Sequence, residues 1–284
     1  MKTYSFDLIP ANTFSYEELT EAYNHTRVDY IVPMPMNAAK LREYVEIYDI
    51  DMTASAVAVD GNEILGLAML GIRQKRAWIT RLGVIRSNRR RGTGQGIVEH
   101  LVRQACERDA AYIIIEVIEN NTPAYELFSK NGFKDTRDLL VLRRPPYDLE
   151  SNPEIELTKL DKTAALELLK TRRSTPSWLD EYESLVNAGS LAAYQASLPD
   201  GSHGWLVYQE TLFQLGRLVL QTEVGNPLDV GRALLRELHA RHPFRDTKLE
   251  NLPVKDLHWP AFKALDYMIS FRRNEMVLPL RAAL

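Results

Sequence analysis

The chain has 284 residues, 45% hydrophobic and 26% charged, with a formal net charge of −3. Such a length suits one large domain or two of ordinary size, and the near-neutral balance gives no strong general attraction to nucleic acid or an anionic membrane. A single cysteine, Cys106, excludes a disulfide framework and points to a reducing, cytoplasmic setting.

The first residues, MKTYSFDLIPA, lack the apolar core of a secretory leader, and the longest apolar run, Ile64 to Ile72, is too short to span a bilayer. Residues 4–9 alternate like an edge strand. Residues 15–48 carry helical patterning broken at Pro33 and Pro35, with Tyr23, His25, Asp29 and Tyr30 clustered before the break. Ser55 to Val59 and Ile64 to Ile72 read as two strands around Asp60-Gly61, a hairpin signal. Trp78 to Ile85 is the next strand, followed by Arg89, Arg90 and Arg91 and then by Gly92, Gly94 and Gly96. A helix opens there, with Ile97, Val98, Leu101, Val102, Ala105 and Cys106 at helical spacing, which makes Cys106 a core thiol. Tyr112 to Ile118 is a strand, Asn121 to Phe133 holds a short helix, and Asp138 to Arg143 is a closing strand.

A strand that feeds glycines into a helix N-terminus makes an anion site. The backbone can curl against a ligand, its N–H groups point inward, and the helix dipole favours negative charge. The arginines add forked donors that suit phosphate oxygens. A P-loop is excluded, because Gly94 is followed by Gln95-Gly96 and not by Lys and Ser/Thr. A dinucleotide fingerprint would need a third glycine where Ile97 stands, although Glu116 could serve as its acidic residue. A plain helix-opening turn with solvated arginines is the remaining reading.

Arg89-Arg90-Arg91-Gly92-Thr93-Gly94 also matches Arg/Gln-x-x-Gly-x-Gly/Ala, and downstream Asn121, Ala124, Leu127, Phe128, Gly132 and Phe133 follow Asn-x-x-Ala-x-x-Leu-Tyr-x-x-x-Gly-Phe except at Phe128. In this order the two segments resemble the signature of the GCN5-related N-acetyltransferases. The resemblance implies an α+β fold, a mixed, mostly antiparallel sheet flanked by helices, and acetyl-CoA or another short acyl-CoA as cofactor. By the same resemblance Leu82, Gly83 and Val84 bind the pantetheine through backbone groups. The N–H groups of Arg91, Gly92, Thr93, Gly94, Gln95 and Gly96 hold the pyrophosphate, with Arg89 and Arg90 near it, and Asn121 reaches the CoA arm or a bound water. Tyr23, His25, Asp29 and Tyr30 fall where an acceptor, a small-molecule or peptide amine, would be contacted. Glu116 interrupts the apolar run Ile113-Ile-Ile-Glu-Val-Ile, so it is either a base or a glutamate on a solvated sheet face. Phe128 takes the place of the family tyrosine that protonates the departing thiolate, which leaves open a CoA-binding regulatory module as the alternative to an enzyme.

Arg144-Pro145-Pro146-Tyr147 breaks the chain, and the pattern then begins again. Gly231-Arg-Ala-Leu-Leu follows Gly94-Gln-Gly-Ile-Val at the same offset at which Pro260-Ala-Phe follows Pro123-Ala-Tyr, which argues for duplication. Residues 1–147 are expected to form an acetyltransferase domain and 148–284 a degenerate copy acting as scaffold or pocket wall. At that offset Arg89 to Gly92 become Asn226, Pro227, Leu228 and Asp229, so the cations are lost and a carboxylate stands where phosphate would sit. His239, His242 and His258 show no metal-ligand spacing, and no metal is expected. The basic stretch Arg73, Lys75, Arg76, Arg81, Arg86 and Arg89 to Arg91 lacks interleaved exposed aromatics, so CoA phosphates account for it better than nucleic acid.

Overall fold

A computed structural model describes residues 4–32 and 34–280; Pro33, one of the two expected helix breaks, lies outside them. The chain divides into two compact units, Met1–Thr136 with Asn274–Leu284, and Arg137–Arg273. The division therefore departs from a simple cut at 147/148.

The first unit begins with β1 (Asp7–Pro10), α1 (Tyr16–Thr26) and α2 (Ala38–Ile47), then β2 (Ala56–Asp60), β3 (Glu63–Arg73) and β4 (Arg76–Val84). α3 (Thr93–Glu107), β5 (Tyr112–Ile118) and α4 (Thr122–Lys130) follow. Ser15 and Glu18 form a reciprocal capping box at the start of α1, and Asn37 caps α2. Next come β6 (Lys134–Arg144), β7 (Glu156–Leu160), α5 (Lys162–Lys170), α6 (Tyr182–Ala188), β8 (Leu191–Ser197), β9 (His203–Glu210) and β10 (Gln214–Val224). α7 (Pro227–Arg241), β11 (Asp246–Pro253), α8 (Trp259–Ala264) and β12 (Met268–Pro279) complete the chain.

The first unit's strands run β1-β2-β3-β4-β5-β12. β1 to β4 are antiparallel neighbours, and β4 and β5 are parallel. α3 lays Ile97, Val98, Leu101 and Ala105 into a core with Ala56, Leu70, Ile79, Ile113 and Phe133, and Met276 of β12 enters the same core. Cys106 is exposed, which corrects its expected place in that core. Each helical step turns the side chain by about 100°, and the step beyond Ala105 carries Cys106 off the buried seam.

The second unit repeats this plan with strand order β7-β8-β9-β10-β11-β6. β7 to β10 are antiparallel neighbours, β10 and β11 are parallel, and β6 pairs antiparallel with β11. Each unit thus has the mixed, mostly antiparallel sheet and flanking helices expected. The sixth strand of each follows the last helix of the other in sequence. That crossing has no local signal, because any half-buried strand of the right length reads alike.

The repeat is also less regular than one constant offset. The parallel ladders begin at Arg76↔Tyr112 and at Gln214↔Asp246, and counted from those starts Glu250 stands where Glu116 does, although the positive-φ residues Arg81 and Arg217 lie at different distances from them. Glu250 is engaged by Lys248 at 2.6 Å and Arg273 at 2.9 Å.

Candidate functional site

In the first unit the parallel ladder joins only Arg76–Trp78 to Tyr112–Ile114. Beyond it β4 carries a bulge, with Arg81 at φ 57° and a register shift against β3. A bulge swings the strand and re-aims its side chains and carbonyls. Past β4 the chain turns through Arg90, at φ 62°, and Gly92, at φ 88°, into the first turn of α3. Two left-handed residues ahead of a helix curl the backbone so that N–H groups converge, and the first N–H groups of any helix lack intrahelical partners. Arg90 and Arg91 are exposed and have no hydrogen bond or ion pair among the described residues. Their free cationic heads at the start of α3 fit an anionic ligand such as a pyrophosphate.

The remaining loop residues are engaged in packing. A Cβ on Gly96 would come within 2.8 Å of the Phe6 ring, and one on Gly94 within 3.3 Å of Leu127. Gln95 exchanges amide hydrogen bonds with Asn131, at 2.7 and 3.1 Å, which ties α3 to the end of α4. Thr93 is buried and its hydroxyl donates to the Asn88 carbonyl.

On β4, the Leu82 carbonyl accepts from Arg27 Nη2 at 2.9 Å and the Val84 carbonyl accepts from Arg89 Nε at 3.1 Å. Arg89 is in turn held by both oxygens of Asp29, each at 2.7 Å. A Cβ on Gly83 would overlap Thr26 Oγ1, so glycine is required where the end of α1 meets the strand. Arg27 stacks 4.0 Å from the Tyr30 ring centre, and Asn121, which caps α4, donates from Nδ2 to the Tyr30 hydroxyl at 3.4 Å. Tyr23 is buried, and its hydroxyl accepts from Arg81 Nη1 at 3.0 Å. His25 is exposed on α1 with no partner among the described residues. Tyr23, Asp29, Tyr30 and Asn121 are therefore gathered along the β4 edge, and His25 is not.

Glu116 is half-buried, and its Oε2 accepts from Trp78 Nε1 at 3.0 Å. Tyr44 and Tyr48 pack on each other at 4.7 Å and on Trp78 at 6.2 and 5.8 Å. Burial pushes the Tyr44 phenol up, with Arg81 and Glu116 both close enough to act on it electrostatically. Trp78, Tyr44 and Arg27 thus line the candidate site without a signal read from the sequence, and Arg81, grouped there with the other cations of the basic stretch, binds the Tyr23 hydroxyl. Trp78 could have been found from strand alternation opposite Glu116, whereas Tyr44 needed the angle at which α2 crosses the sheet.

Phe128 is 5% exposed and packs edge-on to Phe133 at 5.3 Å within the core. Tyr125 donates to Asp135 at 2.6 Å, and that bond holds its phenol above the usual tyrosine range. Arg73 of the basic stretch is buried and paired with Asp49 at 2.7 Å, so the stretch does not form one exposed face. Among the described residues no group of His, Cys, Asp or Glu could hold a metal, and no helix is long and apolar enough to cross a membrane.

In the second unit, Arg217 repeats the positive-φ bulge of Arg81, and His258 takes the helix-cap position that Asn121 has in the first. α7, however, begins at Pro227 with Asn226 as its cap. The segment expected to match the arginine–glycine loop is therefore wound into the helix.

Comparison with solved structures gives the fold of the whole chain. A GCN5-related N-acetyltransferase from Sphaerobacter thermophilus is 16% identical with a TM-score of 0.74, covering 100% of this chain and 98% of its own. A tandem GNAT protein from the clavulanic acid biosynthesis pathway is 15% identical, TM-score 0.68, covering 96% and 98%. A putative acetyltransferase from Pyrococcus horikoshii is 14% identical, TM-score 0.62, covering 99% and 92%. A search of curated protein sequences finds no match. The model of the acetyltransferase (GNAT) family matches residues 16–133, from α1 through Phe133. Over that segment the chain matches the acetyltransferase (GNAT) family model, and along its length it shares the fold of GNAT structures.

Proposed function

We propose that the first unit, taken with the rest of the chain as an acetyltransferase domain followed by a degenerate copy, moves an acetyl group from acetyl-CoA to a primary amine of a small molecule or peptide, in the cytoplasm. The observation that carries this reading is Glu116, a carboxylate oriented by Trp78 Nε1 on β5, the strand that parts from β4 beside the α3 loop. When bound, the acyl-CoA supplies an activated thioester. Arg90, Arg91 and the first N–H groups of α3 hold its phosphates. The β4 backbone at Leu82, Gly83 and Val84 would bind the amide groups of the pantetheine arm. Glu116 takes the proton that an attacking amine must lose, and the aromatic wall of Trp78, Tyr44 and Tyr48 limits water around it. A thiolate is already a tolerable leaving group, since thiol pKa values lie near ~8.5.

Glu116→Gln keeps the side chain's size but removes the base. The expected outcome is a fall in kcat/KM of roughly 10²–10⁴-fold with acetyl-CoA affinity nearly unchanged, read as free-thiol release over an amine panel. A full rate across the neutral range would assign the proton to another acceptor. The second reading, a CoA-binding module with little turnover, is favoured by the burial of Phe128 and the engagement of Tyr125 by Asp135, which leave α4 without a free phenol. Binding of acetyl-CoA with no thiol release for any amine would select it.

A further inference from the structure

The second unit contains a cavity of about 500 Å³ between the outer part of β10, the start of α7, the end of β11 and the cap of α8. On its wall the Thr222 hydroxyl lies 3.0 Å from His258 Nε2, and His258 Nδ1 lies 3.5 Å from Asp256 Oδ1. Both His258 and Asp256 are largely buried, with side chains 9% and 12% exposed. Asp256 Oδ1 also accepts the backbone N–H of His258 at 2.8 Å, which fixes the carboxylate beside the ring. The 3.5 Å from Nδ1 to Asp256 is an electrostatic contact and not a hydrogen bond; it favours the tautomer with its proton on Nδ1, in which Nε2 offers its lone pair to the threonine O–H. A hydroxyl, an imidazole that accepts its proton and a carboxylate that orients the imidazole make a nucleophile–base–orienter array, recognised by geometry and not by chain order.

We propose that this cavity is a hydrolytic site for short acyl esters, with Thr222 as nucleophile, His258 as general base and acid, and Asp256 as the positioning residue. Leu220, Pro227, Pro253 and Leu257 give it apolar walls for a short acyl chain, and its volume suits a small molecule. The helical start at Pro227 leaves no arginine–glycine loop, although Arg137, Arg173 and Lys255 also line the cavity.

In the first step Thr222 Oγ forms a bond to the acyl carbon while its proton passes to His258 Nε2. The bond between the acyl carbon and the ester oxygen breaks, and the alcohol leaves with that proton. Water then attacks the acyl carbon while yielding a proton to His258; the bond from that carbon to Thr222 Oγ breaks, His258 passes the proton to Oγ, and the carboxylic acid leaves. The nucleophile is a secondary alcohol hindered by its methyl group, so the smaller serine should react faster.

The test uses the full chain with p-nitrophenyl acetate and no acetyl-CoA. Nitrophenol release above the buffer rate is expected, together with an acetyl group on the peptide that carries Thr222 when the reaction is quenched early. His258→Gln should lower the rate by roughly 10²–10⁴-fold, Thr222→Val should bring it to the buffer rate, and Thr222→Ser should keep or raise it. Melting temperature and acetyl-CoA binding by the first unit show whether each variant is folded. The adduct on the parent protein decides the matter without any variant. No release by the parent, an adduct only at another residue, or a parental rate in Thr222→Val would each overturn the assignment.

Discussion

Arg89 is the loop arginine whose charge is already matched, by both oxygens of Asp29, while Arg90 and Arg91 stand free among the described residues. The pair is exposed, so it contributes little to stability but does decide where the Arg89 head points. Its hydrogen bond holds the Asp29 carboxyl below the usual carboxylate range. A depressed carboxylate keeps its partner above its unfolded pKa and loses it only as pH falls through the folded value, so the clasp persists across neutral pH. Asp29→Asn is expected to tighten acetyl-CoA binding roughly two- to five-fold in low salt and less in high salt, by calorimetry. Weaker binding would mean that Asp29 positions Arg89 for the ligand. In the second unit two buried groups oppose each other. Burial pushes His239 down to about 3, beside the Tyr267 hydroxyl at 2.9 Å, and pushes Asp180 up to about 6. Between about pH 3 and 6.5 the unfolded chain binds a proton at His239 that the fold does not, so stability falls as pH drops through that window. Asp180 acts in the other direction, stabilising below its unfolded value and losing that contribution as pH rises toward about 6. Removing His239's ionisation with His239→Gln should therefore make the variant, compared with the parent, relatively more stable near pH 4.5 than near pH 7, on the order of a few kcal/mol. Urea melts at the two pH values give the difference directly, and equal pH slopes in parent and variant would remove His239 from the account.

Element by element, what the sequence revealed was what local chemistry controls. Ser15 and Glu18 mark the start of α1, Gly61 allows the turn between β2 and β3 at φ 57°, and Glu116 announces itself as the charge in an apolar strand. The three loop glycines looked alike, yet only Gly92 is left-handed; Gly94 and Gly96 are small because Leu127 and Phe6 lie against them. Such differences depend on which distant element packs at each position, and no spacing rule contains that. The same holds for Arg27 and Arg81, whose partners are a β4 carbonyl and a tyrosine hydroxyl remote in sequence. α7 shows how an element can withdraw a function. With Pro227 at the first helical position lacking an N–H and the Asn226 side chain accepting the N–H of Leu228, two of the first-turn donors that could cradle a phosphate are gone. Changing Asp229→Arg alone should leave acetyl-CoA binding as it is, with one molecule per chain in calorimetry. Two sites per chain would contradict this account.

At the scale of the whole molecule, the crossing of β6 and β12 between units matters most. A fragment of residues 1–147 keeps the loop, Glu116 and the family signature, but lacks Met276 and Leu278, which β12 adds to the first core. Deleting a buried side chain such as Met276 costs about 2–5 kcal/mol, the partly buried Leu278 adds less, and the loss also leaves β5 without its neighbour. The fragment should melt without a cooperative transition and bind acetyl-CoA poorly, whereas residues 1–136 joined by a flexible linker to 274–284 should recover both. Cooperative folding of 1–147 alone would show that β12 is dispensable. The crossing also sets an order in time. Synthesis proceeds from the N-terminus, so the ribosome delivers Arg137–Arg273 before residues 274–279 emerge. The unit translated first is thus the one completed last, and its open β5 edge must be shielded, or kept unfolded, for as long as it takes to translate its neighbour.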